Sequence, residues 1–294
     1  LMARRLVEAI GAPMSIDGRS LIQTVSVGGV LSSGVLTETD LLVRADRALY
    51  VAKGQGRNGY MFFDRTLHDA VLRRLALEGE LRVAIEQSQL AVNFQPEFSA
   101  SDGTIVGVEA LLRWDHPDRG QVSAEEFIAV AEQSGAIDEL GEYVVNEACR
   151  SFVEITEQLG DDSLVLRVNI SAREFAQPQL VDTVHAALKA SGLDPSRLCL
   201  EMTETTLMDA PEVALETFSR LQTIGVKSAI DDFGTGYSSL SYLKQFPVDC
   251  VKIDRTFVED IVTDSNSRAI VEAILRLAEA MGLESVAEGV ESHE

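Results

Sequence analysis

The chain has 294 residues, 46% of them apolar, which is enough to bury at least one large core and argues against disorder. Its 47 acidic and 25 basic side chains leave a formal charge of -22, which repels phosphate backbones and excludes duplex nucleic acid as a partner; a phosphate ligand would need a cation-loaded site. Three cysteines, Cys149, Cys199 and Cys250, without CxxC spacing exclude a disulfide framework or zinc ribbon and fit a reducing cytoplasm.

Residues 1–12 read as a helix and Leu21 to Val30 as a strand ending in Gly28-Gly29. Between Thr39 and Lys53, Leu42, Ala45, Leu49 and Ala52 recur at helical spacing, and Gly54 and Gly56 stop the run. From Asp64 to Gln89, Leu67, Val71, Leu75, Leu81 and Ile85 form an imperfect amphipathic stripe, read as a connecting helix. No apolar run approaches the roughly 20 residues of a membrane span, and no signal-peptide pattern opens the sequence. Residue 1 is Leu, so an upstream anchor is left open.

Beyond Leu90, strand-like runs alternate with helices in the rhythm of an α/β fold with a parallel sheet. The runs are Ala91–Gln95, Ile105–Arg113, Leu164–Ile170, Arg197–Met202, Val226–Asp231, Val248–Ile253 and Glu284–Glu288. Ser123 with Glu126 marks a helix start, Gly160 and Gly225 mark helix ends, and Ile270, Ile274, Leu277, Ala278 and Met281 give Ser265–Met281 one buried face. Seven strands are countable, one fewer than a closed eight-stranded barrel needs.

The polar residues on these strands carry the chemistry. Asn169, Glu201, the pair Asp231-Asp232, Lys252 and Glu288 fall at or near the ends of successive strands, and Glu109 lies on the second. In a parallel α/β barrel those ends converge on one mouth. An acidic residue on a single solvated strand end is ordinary; five strands doing so together are not. Oxygen donors without His or Cys favour Mg²⁺ or Mn²⁺ over zinc, and adjacent aspartates leave room for two ions. Lys252 among the carboxylates could stabilise phosphate charge or hold a water, or simply neutralise an acidic mouth. The run from Asp231 to Leu240, DDFGTGYSSL, adds a tight glycine loop beside this pair.

As a set, these residues resemble the EAL-domain cyclic-di-GMP phosphodiesterases over about Leu77 to Glu294. The resemblance rests on Glu109-Ala110-Leu111-Leu112-Arg113-Trp114, Gln95-Pro96, Asn169-Ile170-Ser171, Glu201-Met202-Thr203-Glu204, the DDFGTGYSSL run, Lys252-Ile253-Asp254 and Glu288-Gly289-Val290-Glu291. It implies a TIM-like (β/α) barrel whose first strand runs against the others, and hydrolysis of cyclic di-GMP to pGpG. By position, Glu109, Asn169, Glu201 and Asp231 would ligate one metal, and Asp231 and Asp232 a second, with Glu288 close by as ligand or base. Lys252 would position the water, and Gln95, Arg113, Asp254 and Glu291 would contact substrate. Glu204 would anchor the loop after the fifth strand, a loop tied in this family to dimerisation, so a homodimer through this domain is expected. A non-catalytic cyclic-di-GMP receptor is the alternative; receptor-type members typically lose metal ligands, and every ligand position is filled here. Glu97 departs from the aliphatic residue usual after Gln-Pro, and the family's final strand and helix would lie beyond Glu294.

Ser26-Val27-Gly28, the run Ala45 to Lys53 and Gly56-Arg57-Asn58 resemble the tail of a GGDEF diguanylate cyclase domain. The expected architecture is an α+β GGDEF-domain fragment over residues 1–64, a connecting helix over 65–85 and an EAL domain over 86–294. Truncation at both ends, an upstream sensory domain and a cytoplasmic location complete the expectation.

Overall fold

A computed structural model of the chain describes residues 2–11, 14–16, 19–21, 23–31, 37–54, 58–87, 89–235 and 243–290. The chain divides into two compact units, Leu1–Glu80 and Leu81–Glu294. No helix among the described residues is long and apolar enough to cross a membrane.

In the first unit, helix α1 (Met2–Gly11) precedes an antiparallel pair, β1 (Met14–Ile16) and β2 (Arg19–Leu21). Strand β3 (Val27–Gly29) pairs in parallel with β4 (Tyr60–Phe62), and helix α2 (Glu38–Gly54) packs against both. The single strand expected from Leu21 to Val30 is therefore two short segments, because a run that looks alternating in sequence crosses a break between pairing partners. At Gly28 the strand lies close against α2: a Cβ there would lie 2.1 Å from the Ala45 carbonyl oxygen. Helix α3 (Arg65–Glu86) follows, over the span expected for the connecting helix.

The second unit is built on one curled sheet. Strands β5 (Leu90–Phe98), β6 (Ile105–His116), β8 (Val165–Asn169), β9 (Leu198–Thr203), β10 (Lys227–Phe233), β11 (Cys250–Ile253) and β12 (Glu284–Ala287) form its path in chain order, and the short β7 (Gly120–Val122) adds to β6. Strand β5 pairs antiparallel with β6, and every later pair on the path is parallel. Seven path strands match the seven runs legible in the sequence, and the first runs against the others as the family resemblance implies.

Helices α4 (Ala124–Ser134), α5 (Ile137–Leu159), α6 (Ala172–Phe175), α7 (Leu180–Ser191), α8 (Glu204–Asp209), α9 (Pro211–Thr223), α10 (Arg255–Glu259) and α11 (Ser265–Met281) fill the connections. Among them, α5 packs on β8, α9 on β10, and α11 on β11 and β12. Side chains alternate across a strand, so Leu166, Val168, Leu198, Leu200, Met202, Ile230, Val251 and Ile253 all enter the core shared with the helices. The intervening positions face the other side. There Cys199, Ala229 and Cys250 form a small apolar layer, and all three cysteines are free and buried.

Phe218 on α9 is fully buried and packs its ring at a tilt against those of Phe175 and Phe246, with centroids 5.3 and 5.7 Å away. Phe218→Ala is expected to cost about 3–5 kcal/mol in urea unfolding of this unit. A loss below about 1 kcal/mol would contradict the assignment of this residue to the core.

Candidate functional site

The strand positions facing away from the helix-packed core carry the polar residues singled out above. Glu109 on β6 stands opposite Gln95 on β5, and Asn169 on β8 stands beside Glu201 on β9. The Asn169 amide donates to Glu109 Oε1 at 2.7 Å. Lys252 on β11 is 1% exposed, and its ammonium lies 2.6 Å from both Glu201 Oε2 and Glu288 Oε1 and 3.5 Å from both Glu109 Oε2 and Asp231 Oδ1. Four strands, β6, β9, β10 and β11, and the segment after β12 thus meet at one ammonium group.

Asp231 and Asp232 are adjacent in sequence, and a regular strand would aim them at opposite faces. The strand is not regular there. The pairing of β10 with β11 shifts register between Ile230 and Phe233, and Asp232 takes a positive φ of 54°, a left-handed conformation that Asp tolerates better than most residues. This irregularity brings carboxylate oxygens of Asp231, Asp232 and Glu288 within 4.8 Å of one another.

Crowding and burial set the charge states. Burial pushes the Glu201 carboxyl up to about 8, against the pull of Lys252. Asp232 is pushed up to about 6 by burial and by Asp231, Asp254 and Glu288, and burial also raises Glu288. Burial opposes the charge on Lys252, but Glu201, Asp231, Glu109 and Glu288 together hold it above the usual lysine range. Mutual repulsion of this kind, in a set of oxygen donors without His or Cys, suits a hard divalent cation. Glu201 Oε1 is buried and accepts no hydrogen bond among the described residues, so a donor oxygen stands available. The residues present fit a metal.

The other expected site residues divide into three groups. Glu204 is 1% exposed and its Oε2 accepts from the Gly234 amide at 2.9 Å, which ties α8 to the turn after β10. Arg113 is half-buried on β6 and donates to the Leu112 carbonyl at 3.0 Å, while Asp254 accepts from the Thr256 amide at 2.9 Å as the cap of α10 and faces Asp232. Glu291, and residues 236–240 of the glycine loop, lie outside the described residues. Sequence reasoning passed over Arg167, a lone cation in the apolar run Leu164–Ile170, and Glu174, whose S-x-x-E spacing from Ser171 is a capping signature.

An oxygen-only carboxylate cluster at the C-terminal ends of a curled, mostly parallel sheet defines the class: a candidate divalent-metal centre on a barrel-type α/β fold. The model of the EAL domain matches residues 78–294, and the chain belongs to the EAL domain family. It is 42% identical over 292 residues to the bifunctional diguanylate cyclase/cyclic di-GMP phosphodiesterase MucR of Pseudomonas aeruginosa, covering 99% of this chain and 42% of that protein. It is 39% identical to the cyclic di-GMP phosphodiesterase NbdA of the same organism, covering 99% of this chain and 37% of that one. The chain therefore spans about two fifths of the length of these relatives. A solved structure of the MucR phosphodiesterase in complex with c-di-GMP superposes with a TM-score of 0.71 at 44% identity, over 74% of this chain and 88% of that one.

The turn after Asn169 is fixed by a full capping box between Ser171 and Glu174. Glu174 lies against Gly141 of α5, where a Cβ would fall 1.5 Å from its Oε1. Burial pushes the Glu174 carboxyl from 4.5 up to about 7, outweighing the hydrogen bonds from Ser171. A folded-state value above the unfolded one contributes stability that is fully present below about pH 4.5 and is lost as pH rises through about 7. Glu174→Gln keeps the capping acceptor, so the variant is expected to lose this component, at most about 2–3 kcal/mol, from the pH dependence of urea unfolding between about pH 5 and 7.5. Parallel pH profiles for the two proteins would contradict it.

Proposed function

We propose that the chain hydrolyses cyclic di-GMP to linear pGpG, with Mg²⁺ or Mn²⁺ in a two-ion site. The observation that carries this reading is the convergence of Glu109, Glu201, Asp231 and Glu288 on the Lys252 ammonium, beside the carboxylate trio of Asp231, Asp232 and Glu288. The names of MucR and NbdA, and the c-di-GMP in the solved MucR complex, support the substrate.

Glu109, Asn169, Glu201 and Asp231 would hold one ion, and Asp231 and Asp232 the other. When bound, the ions supply charge neutralisation at the reacting phosphate and its leaving oxygen. Lys252 orients the attacking water, and Glu288, 2.6 Å from Lys252, takes its proton. Attack at phosphorus breaks the bond to the 3′ oxygen, which takes a proton from solvent while Glu288 returns the water's proton to solvent, and the ring opens with a 5′ phosphate. Gln95, Arg113, Asp254 and Glu291 contact the dinucleotide, and Glu204 anchors the loop after β10. The receptor reading is not favoured, because no ligand position is vacant.

The proposed setting is a longer signalling protein of the cytoplasm, with residues 1–64 the tail of a GGDEF domain, 65–85 a connecting helix, an upstream sensory domain, and a homodimer formed through the EAL domain. Alignment with a bifunctional diguanylate cyclase/phosphodiesterase over 99% of the chain supports the first part.

EDTA treatment is expected to stop pGpG production and added Mg²⁺ or Mn²⁺ to restore it; turnover by metal-free protein would overturn the reading. Glu109→Ala and Asp231→Ala are expected to abolish hydrolysis by removing metal ligands. Lys252→Ala is expected to lower kcat by about 10²–10³-fold, a loss that persists at saturating metal, with a smaller effect on metal binding than the ligand substitutions have. Normal turnover in Asp231→Ala would show that the acidic cluster is not the site.

A further inference from the structure

Beneath the carboxylate cluster lies a second buried cation for which the proposed reaction has no use. Arg167 precedes Asn169 by two residues on β8, on the same face, and is 2% exposed. Its guanidinium reaches carboxylates on three other strands. Nε donates to Glu97 Oε2 on β5 at 2.7 Å, and Nη2 lies 3.4 Å from Glu284 Oε2 on β12. Nη1 donates to Cys199 Sγ at 3.4 Å and lies 3.8 Å from Glu201 Oε1, both on β9. Since β5 and β12 are the two ends of the strand path, one planar group links carboxylates from both ends across the interior of the curl.

The neighbours leave the guanidinium little freedom to turn. Gly107 stands opposite Glu97, and a Cβ at that position would meet Glu97 Oε2 at 3.1 Å and the Val165 carbonyl oxygen at 2.8 Å. The absence of a side chain at Gly107 therefore seats Glu97, and Glu97 engages Nε. With that edge of the fork occupied, the remaining nitrogens face β9 and β12. Glu201, fully buried, has Oε2 held by Lys252 at 2.6 Å, while Oε1 accepts no hydrogen bond among the described residues and has Arg167 Nη1 3.8 Å away. One cation thus addresses each oxygen of this carboxylate.

We propose that Arg167 is a positioning residue for the metal centre: seated by Glu97, its guanidinium orients the Glu201 carboxylate from below while Lys252 holds it from above. The inference rests on the reading of Glu201 as a metal ligand. Groups that orient ligands from behind typically change metal affinity by about 10–100-fold when removed. The bland reading is that Arg167 and Glu97 form a buried ion pair that only supports the sheet.

The two readings differ in a double variant. Arg167→Met alone strands Glu97 in the interior and is expected to destabilise the chain, whereas Arg167→Met with Glu97→Leu removes both charges together. If the pair only supports the sheet, the double variant regains both melting temperature and Mn²⁺ affinity. If Arg167 positions Glu201, the double variant regains melting temperature but binds Mn²⁺ about 10–100-fold more weakly in calorimetric titration of metal-free protein. Wild-type affinity in the double variant overturns the proposal. Should that variant not fold, Arg167→Lys decides: a single ammonium cannot serve Glu97 and Glu201 at once, so about tenfold weaker Mn²⁺ binding is expected and unchanged binding overturns the proposal. Wild type and Glu201→Ala are titrated alongside. If wild type binds no Mn²⁺, or Glu201→Ala binds it normally, the metal reading itself fails and the role of Arg167 falls with it; if both controls behave as a metal site requires, a negative result concerns Arg167 alone.

Discussion

Everything in the second unit converges on the Lys252 ammonium, buried among four carboxylates at distances from 2.6 to 3.5 Å. Taking such charges out of water is costly, and the cost is recovered only when partners are held in good geometry. The frame that holds them is the hydrogen-bonded sheet, since Glu109, Glu201, Asp231 and Lys252 each sit on a different strand of it. One ammonium against this many acids leaves an excess of negative charge, which adds to burial in raising the Glu201, Asp232 and Glu288 carboxyls. The same excess makes the cluster a place for divalent cations.

The link between fold and chemistry is the two-residue period of the strands. On one face the period delivers Leu, Val, Ile and Met to the helix-packed core; on the other it delivers a small apolar layer and the acidic cluster. Where the site needs two consecutive side chains, the period has to be broken, and the register shift and positive φ at Asp232 do this. The local irregularity is therefore what brings both carboxylates to one place, and Glu204 holds the following turn through the Gly234 amide.

Much of this was legible in the sequence because parallel strands read as apolar runs in which a single polar residue is conspicuous. Asn169, Glu201 and Lys252 stand out in that way, and the glycine-rich run marks the turn after Asp231-Asp232. Other features were hidden for physical reasons. Strand β7 has three residues, too few for a period to show, and the run from Leu21 to Val30 hides a change of pairing partner. Glu97 read only as a departure from the family's usual aliphatic residue because its partner, Arg167, is 70 residues away and is brought to it only by the curl of the sheet. Asp254 is legible as a polar residue after β11, but its service as the cap of α10, with its side chain accepting from the Thr256 amide, shows only in the structure.

The central claim, that this carboxylate cluster is a two-ion centre, is tested most directly by anomalous diffraction from crystals of the chain grown with Mn²⁺. Two peaks are expected, one bordered by Glu109, Asn169, Glu201 and Asp231 and the other by Asp231 and Asp232. Absence of anomalous density in the cluster at saturating Mn²⁺, with the Lys252 ion pairs unchanged, would contradict it.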